Sequence, residues 1–413
     1  MSVKQRLYPS PEQEAALRVH QGQARFVYNR MLHLVSHEVI RLQEMDRTLT
    51  HLRAEFGWLG EGSTVVQQGA IRDLSRAFVN LGKNGDHFGW PAFKKRGTPV
   101  GVRVRDLHVR RINRKWGQVM VPKVGWVKFR LTRPFTDVQS ASSARITQTP
   151  GGAWHVSFTT KDRPAFARPA VERKVVGIDA GVVKTMTAHD GEKALVFQIP
   201  TLTGAEQERY LRLARQLARQ QKGSGRYRRT LRKMGKITDR LGNRRDNWVE
   251  QTTTALVRDY EVIVIEDLNV KGMVKAPAPK PDPDQPGQYL RNGAAAKATL
   301  NRLIHSSRWA QFRARLEDKT TRAGTMLVAV HPAHTSQECA ECHHIAEGNR
   351  ESQAVFRCLN CEHTDNADVN AARVLRARVV HPDGTLKTTC GRTGRQRTRK
   401  TPTGRVKTRK EAA

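Results

Sequence analysis

Cys339-x2-Cys342 and Cys358-x2-Cys361 form two cysteine pairs with 15 residues between them. Each pair can turn two thiolates toward one ion, and four sulfurs suit a tetrahedral zinc. Four protein ligands leave no open position, so the zinc expected here is structural. His343, His344 and His363 flank the knuckles, as spare ligands or, in preference, as surface or supporting residues. The fifth cysteine, Cys390, lies apart in a Gly/Thr/Arg/Lys-rich stretch.

Three carboxylates sit where chemistry can use them. Asp179 ends the apolar run Val175-Val-Gly-Ile, and Glu266 ends Val262-Ile-Val-Ile. Asp368 opens a helical segment directly after the second cysteine pair. If neighbouring strands bring them together, their mutual repulsion calls for cations. Oxygen ligands at that charge density suit Mg²⁺ or Mn²⁺. Two such ions ~4 Å apart can activate water and stabilise a leaving 3′ oxygen in phosphodiester hydrolysis. Taken singly, an acidic residue after a strand also serves as a loop start or helix cap, and Asp267 and Asp365 compete with their neighbours for the role.

Those residues need elements to carry them. Residues 1–9 read as a short strand. Ser10-Pro-Glu-Gln13 then has the form of a helix start with a capping box. A helix spans about 64–81 with Val66, Ala70, Leu74, Ala77, Phe78 and Leu81 inward, and Gln67, Gln68, Arg72 and Arg76 on the other face. From 100 to 160 the apolar period falls to two, with a Thr149-Pro-Gly-Gly turn, which predicts a small β-barrel or curled sheet joined by the first strand. After 174 an α/β pattern begins: a three-strand meander, basic helices over 205–250 broken at Gly223-Ser-Gly225, a second buried strand at 262–266, a Pro/Asp linker at 276–288, one helix over 300–321 and a strand at 325–330. Residues 383–413 read as disordered.

The 413-residue chain has 73 Lys and Arg against 38 Asp and Glu, a formal charge of +35 and a pI near 10.9. That field marks a nucleic-acid binder, and a small acidic metabolite does not need it. The length predicts two to four domains. No apolar run reaches the ~18 residues of a membrane span and the N-terminus lacks a signal-peptide core, which predicts a cytoplasmic protein. The 205–250 helices hold 14 basic residues against 5 acidic ones. Arg226, Arg228, Arg229, Arg232 and Lys233 on them are candidate duplex-channel residues, and Gln67 and Gln68 are candidates for reading adenine in a major groove. Lys94, Lys95 and Arg96, in the basic linker Trp90–Arg96, are further nucleic-acid candidates.

Taken together, these motifs resemble the TnpB family of transposon-encoded RNA-guided nucleases, relatives of the type V CRISPR effectors. VVGIDAGVVKTMTAHDG (175–191) is similar to the first RuvC-type nuclease motif, VIVIEDL (262–268) to the second and NADVNAARVL (366–375) to the third. The four-cysteine ribbon just before the third motif is typical of the family. RLYPSPEQEAAL, ARFVYNRML, GWPAFKKRG and VPKVGWVKF extend the likeness through the N-terminal part.

The resemblance implies a multidomain α+β and α/β protein. A wedge β-barrel would span 1–9 and 97–165, with a helical recognition lobe at 10–96. An RNase H-like RuvC nuclease domain would span 166–334 and 364–380, with the zinc ribbon at 335–363 and a basic tail at 381–413. It also implies Asp179, Glu266 and Asp368 as catalytic metal ligands, with Asp267 and Asp365 outside the set. The implied cofactors are two Mg²⁺ (or Mn²⁺) ions and one Zn²⁺. The implied partners of a protein monomer are a guide RNA from the transposon end and double-stranded DNA beside a short flanking motif. The rival readings are a compact type V CRISPR effector, a non-cleaving RNA-guided regulator and a DDE-type transposase.

Overall fold

The computed structural model describes residues 2–83, 88–97, 100–160, 174–285, 287–381 and 386–387. Cys390 and nearly all of the basic tail lie outside the described residues. The chain is a mixed α+β protein that divides into two compact units, Met1–Pro164 with Thr201–Asn243, and Ala165–Pro200 with Arg244–Ala413.

In the first unit, strand β1 (Ser2–Tyr8) alternates exposed and buried side chains. It is followed by helices α1 (Pro11–Ser36), α2 (Met45–Glu55), α3 (Gly57–Gly60) and α4 (Thr64–Lys83). The start of α1 is the predicted capping box: Ser10 Oγ accepts from the Gln13 amide and Gln13 Oε1 accepts from the Ser10 amide. Strands β2 (Val102–Arg105), β3 (Val109–Arg111), β4 (Trp116–Val121) and β5 (Gly125–Arg130), helix α5 (Thr136–Gln139), and strands β6 (Ser143–Gln148) and β7 (Trp154–Thr159) follow. They join β1 in a seven-stranded antiparallel sheet of order β2-β6-β7-β1-β5-β4-β3. Helices and sheet share one core, in which Val27, Met31 and Leu32 of α1 and Leu74 of α4 meet Phe129, Ile146 and Phe158 of the sheet.

The second unit is built on strands β8 (Val175–Asp179), β9 (Met186–His189) and β10 (Ala194–Phe197). Helix α6 (Gly204–Ala218) belongs to the first unit, and α7 (Gly225–Asp259) begins there and continues into the second. Then come β11 (Val262–Glu266), α8 (Val270–Met273), the short hairpin β12 (Lys280–Pro281) and β13 (Tyr289–Leu290), α9 (Ala294–Ser307), α10 (Trp309–Ala323), β14 (Met326–Val330), β15 (Val355–Arg357), β16 (Thr364–Asn366) and α11 (Ala367–Ala377). The main sheet has the order β10-β9-β8-β11-β14, antiparallel through the meander and parallel among β8, β11 and β14. Its parallel strands are buried on both faces, which is why VVGID and VIVIE are almost continuously apolar. On one face Val176, Ile178, Ile263 and Ile265 pack with Val249, Leu256 and Phe312 of the long helices. On the other, Val175, Val262, Val264 and Val328 pack with Leu375 of α11.

One expected element differs. The helix predicted over 300–321 is two helices, broken at Arg308, whose φ is 62°. Ser306 and Ser307 donate their hydroxyls to the Leu303 and Ile304 carbonyls, and the helix ends there.

Candidate metal-dependent nuclease site

β8 and β11 run parallel with Ile178 opposite Ile265. One residue further along each strand stand Asp179 and Glu266, side by side at the carboxyl ends of the parallel core. Asp179 shares its strand face with Val175 and Gly177, the face that α11 covers. Gly177 permits that cover: a methyl group there would collide with the Ala372 carbonyl oxygen and stand 2.7 Å from the Arg376 amide nitrogen. The first turn of α11 thereby brings Asp368 to the same corner.

The electrostatics record the meeting. Burial, and then the charges of Glu266 and Asp368, push the Asp179 carboxyl from 3.8 up to about 8, with Arg350 opposing. Burial also raises Glu266, against the hydrogen bond from Thr335 and the Arg378 charge. Thr335 Oγ1 donates to Glu266 Oε1 at 2.6 Å, and an Arg350 nitrogen stands 3.7 Å from Asp368 Oδ1. The three carboxylates are electrostatic neighbours without closing to a cluster whose ligand oxygens all lie within 4.8 Å of one another. Buried oxygen donors, one of them raised further by its carboxylate neighbours, are the environment that a hard divalent cation relieves. The two competing carboxylates are committed elsewhere. Asp267 pairs with Arg313 of α10 at 2.5 Å, and Asp365 lies 3.5 Å from Arg373.

The cysteines do close. Their four sulfurs lie within 4.8 Å of one another, with Cys339–Cys361 at 3.7 Å and Cys342–Cys358 at 3.5 Å. Zn–S bonds of about 2.3 Å in a tetrahedron set sulfurs about 3.8 Å apart, so the residues fit zinc. The two knuckles share one design: the His343 amide donates to the Cys339 carbonyl and the Glu362 amide to the Cys358 carbonyl, and His343 and Glu362 both take φ of 58°. His343 is used by Glu338, 3.1 Å away, and no histidine joins the cluster among the described residues. Within the second unit the ribbon is pinned to α11. The fully buried Asn370 accepts from the Ala340 amide (2.9 Å) and donates to the Glu338 carbonyl (2.8 Å). Arg378 bonds Glu338 Oε2 at 2.7 Å and the His331 and Ala333 carbonyls.

The nucleic-acid candidates fare unevenly. Arg226, Arg228, Arg229, Arg232 and Lys233 are all exposed on α7. Lys94, Lys95 and Arg96 are exposed as well. Lys94 Nζ lies 4.6 Å over the Tyr28 ring, and its backbone is held by Asn29. Lys94 and Arg96 line a groove of about 540 Å³ with Arg25, Arg30, His33 and Phe93. Gln67 departs from the expectation: it is fully buried, accepts from Arg53 at 2.5 Å and donates to the Leu59 carbonyl at 2.8 Å. The α2–α3 segment covers what the helical pattern marks as a solvent face, so Gln67 has no free edge for a base. Gln68 is half-buried and accepts from Arg105 at 3.0 Å. Sequence reasoning missed Thr335 and Arg350, and no local pattern distinguishes either from other Thr and Arg residues.

The chain is similar to several known proteins. Residues 155–276 match a family model described as "Probable transposase", 309–375 one described as "Cas12f1-like, TNB domain", and 1–39 one described as "Helix-turn-helix domain". The chain is 34% identical over 391 residues to the Escherichia coli (strain K12) protein named "Putative RNA-guided DNA endonuclease InsQ", covering 91% of both chains. It is 27% identical to a Streptomyces pristinaespiralis protein described in the same words without a gene name, covering 99% of this chain and 96% of that one. Among solved structures, the protein in a Cas12f1–sgRNA–target DNA complex superposes with a TM-score of 0.50 at 14% identity, covering 92% of this chain and 84% of that one.

Proposed function

From the premise that this chain belongs to the TnpB family, we propose that it is an RNA-guided DNA endonuclease, cleaving duplex DNA beside a short flanking motif with a transposon-derived guide RNA. The observation that carries the proposal is the convergence of Asp179, Glu266 and Asp368 at one end of the parallel core, in a chain of charge +35. In this reading 1–9 and 97–165 form the wedge and 10–96 the recognition lobe. The RuvC, RNase H-like nuclease domain spans 166–334 and 364–380, and 335–363 is the ribbon. The protein works in the cytoplasm as a monomer.

Asp179, Glu266 and Asp368 would hold two Mg²⁺ or Mn²⁺ ions. Bound there, the ions supply an activated water and stabilise the leaving 3′ oxygen. The protein's own part is placement. Thr335 fixes one oxygen of Glu266, leaving the other to turn toward the site. Arg350 steadies Asp368 and offsets part of the local negative charge. The exposed arginines of α7 hold the RNA–DNA heteroduplex by its phosphates, and base pairing carries the sequence specificity.

The test is a purified protein–RNA complex with Mg²⁺, run against a plasmid library randomised beside the guide-matched target. Cleavage confined to one flanking motif is expected. Asp179→Ala should abolish it and leave RNA and DNA binding, and the salt dependence of that binding, intact. Retained binding with no cleavage of any library member by the unaltered chain would make it a non-cleaving regulator.

A further inference from the structure

The loop that follows Asp179 carries a cation that the metal reading does not use. β8 and β9 pair with Asp179 opposite Thr187, so the chain turns back at the carboxyl end of β8, beside the carboxylates. The turn is tight: a methyl group on Gly181 would stand 2.4 Å from the Lys184 carbonyl oxygen. It is also anchored. Thr185 is buried, its amide donates to Gln198 Oε1 at 3.3 Å, and its hydroxyl oxygen accepts from the Ile199 amide at 3.1 Å. From this fixed point the half-buried Lys184 donates from Nζ to Asn366 Oδ1 at 3.2 Å. Asn366 is the N-cap of α11, two residues before Asp368, and its Nδ2 donates to the Ala354 carbonyl of the ribbon at 3.0 Å. The ammonium therefore joins the loop that leaves Asp179 to the helix start that carries Asp368.

Its charge is unspent. Lys184 forms no ion pair with a carboxylate among the described residues, and a bond to one neutral amide leaves two of its N–H donors. The guanidinium groups round this corner are each paired: Arg313 with Asp267, Arg350 with Asp368, Arg373 with Glu341 and Arg378 with Glu338. A corner of three carboxylates repels a strand of phosphates. Two divalent ions offset that repulsion at the phosphate under attack. The phosphate beside it needs a cation from the protein, and an ammonium suits it as a compact point charge.

We propose that Lys184 binds the DNA phosphate next to the one that is cleaved. This rests on the nuclease reading above. The ammonium keeps its bond to Asn366 and gives its other N–H groups to the phosphate oxygens, without transferring a proton. It thereby fixes which phosphate stands over the carboxylates.

The test is single-turnover cleavage by the protein–RNA complex with Mg²⁺, on guide-matched duplex DNA whose cut position has been mapped. In separate substrates, the phosphate on either side of the cut is replaced by an uncharged methylphosphonate. Lys184→Met should slow cleavage of ordinary DNA by about tenfold or more, the loss expected for one hydrogen bond to a charged group. Lys184→Arg should restore it to within about threefold, since a guanidinium also binds phosphate. At one of the two neighbouring positions the methylphosphonate should slow the parent by a similar factor and slow Lys184→Met no further. A purely structural role of Lys184 would make the two losses multiply. Multiplied losses at both positions overturn the proposal, and so does parent-like cleavage by Lys184→Met or an arginine variant as slow as the methionine one. In each of these cases the parent still cleaves, so the nuclease reading stands. A parent chain that cleaves no DNA overturns that reading, and this proposal with it.

Discussion

Asp179 is the residue at which the fold and the proposed metal chemistry oppose each other. Burial and two carboxylate neighbours favour its protonated form and raise it from 3.8 to about 8. A carboxyl raised in the folded state contributes stability at low pH that is lost as pH climbs through the folded value. In Mg²⁺-free buffer the melting temperature should therefore fall between about pH 4, the ordinary carboxyl value, and about pH 8, the folded value. Asp179→Asn should flatten that fall, and added Mg²⁺ should reverse it in the unaltered chain but not in the variant. A thermal melt series across pH, with and without Mg²⁺, reads all three. Asp179, Glu266 and Asp368 could be picked out in the sequence because each ends or begins an apolar run. Thr335 and Arg350 could not, because their roles come from partners 69 and 18 residues away.

At the scale of elements, the site depends on how closely α11 lies on β8 and on what holds the ribbon. Gly177→Ala places a methyl group against the α11 backbone. Overpacking of this kind costs about 1–3 kcal/mol. Cleavage should fall further than stability does, since the shift moves Asp368 away from Asp179. Denaturant unfolding and a cleavage time course measure the two. The ribbon supplies Thr335 and Arg350, and Asn370 ties its first knuckle to α11. Zinc removal, or Cys339→Ser, should therefore abolish cleavage with loss of about one zinc per chain. A colorimetric zinc-release assay run beside cleavage tests this. Helix and strand periods were legible in sequence, including the capping box at Ser10. The break at Arg308 was not, because a left-handed residue other than glycine leaves no compositional mark.

At the scale of the whole molecule, the +35 charge sorts into places with different tasks. Arg226, Arg228, Arg229 and Arg232 of α7 are exposed, whereas other basic residues are spent internally, as Lys319 is on Glu250, Thr253 and Thr254. Replacing Arg226, Arg228 and Arg229 together with Ala should lower the salt slope of heteroduplex binding by about 0.9 for each phosphate that is no longer neutralised. Affinity measured over a salt series gives that slope directly.

The sequence by itself determined the chemistry available: two thiolate pairs at zinc spacing, carboxylates at strand and helix ends, a polyanion-binding charge and the period of nearly every element. These are local properties, set by residue type and by spacing within a turn, a strand or a knuckle. The tertiary structure alone decided which groups meet. It set Asp179 beside Glu266 through the β8–β11 register and buried Gln67 under α2 and α3. Such pairings join residues far apart in the chain, and their free energy depends on burial and on partners that no local pattern encodes.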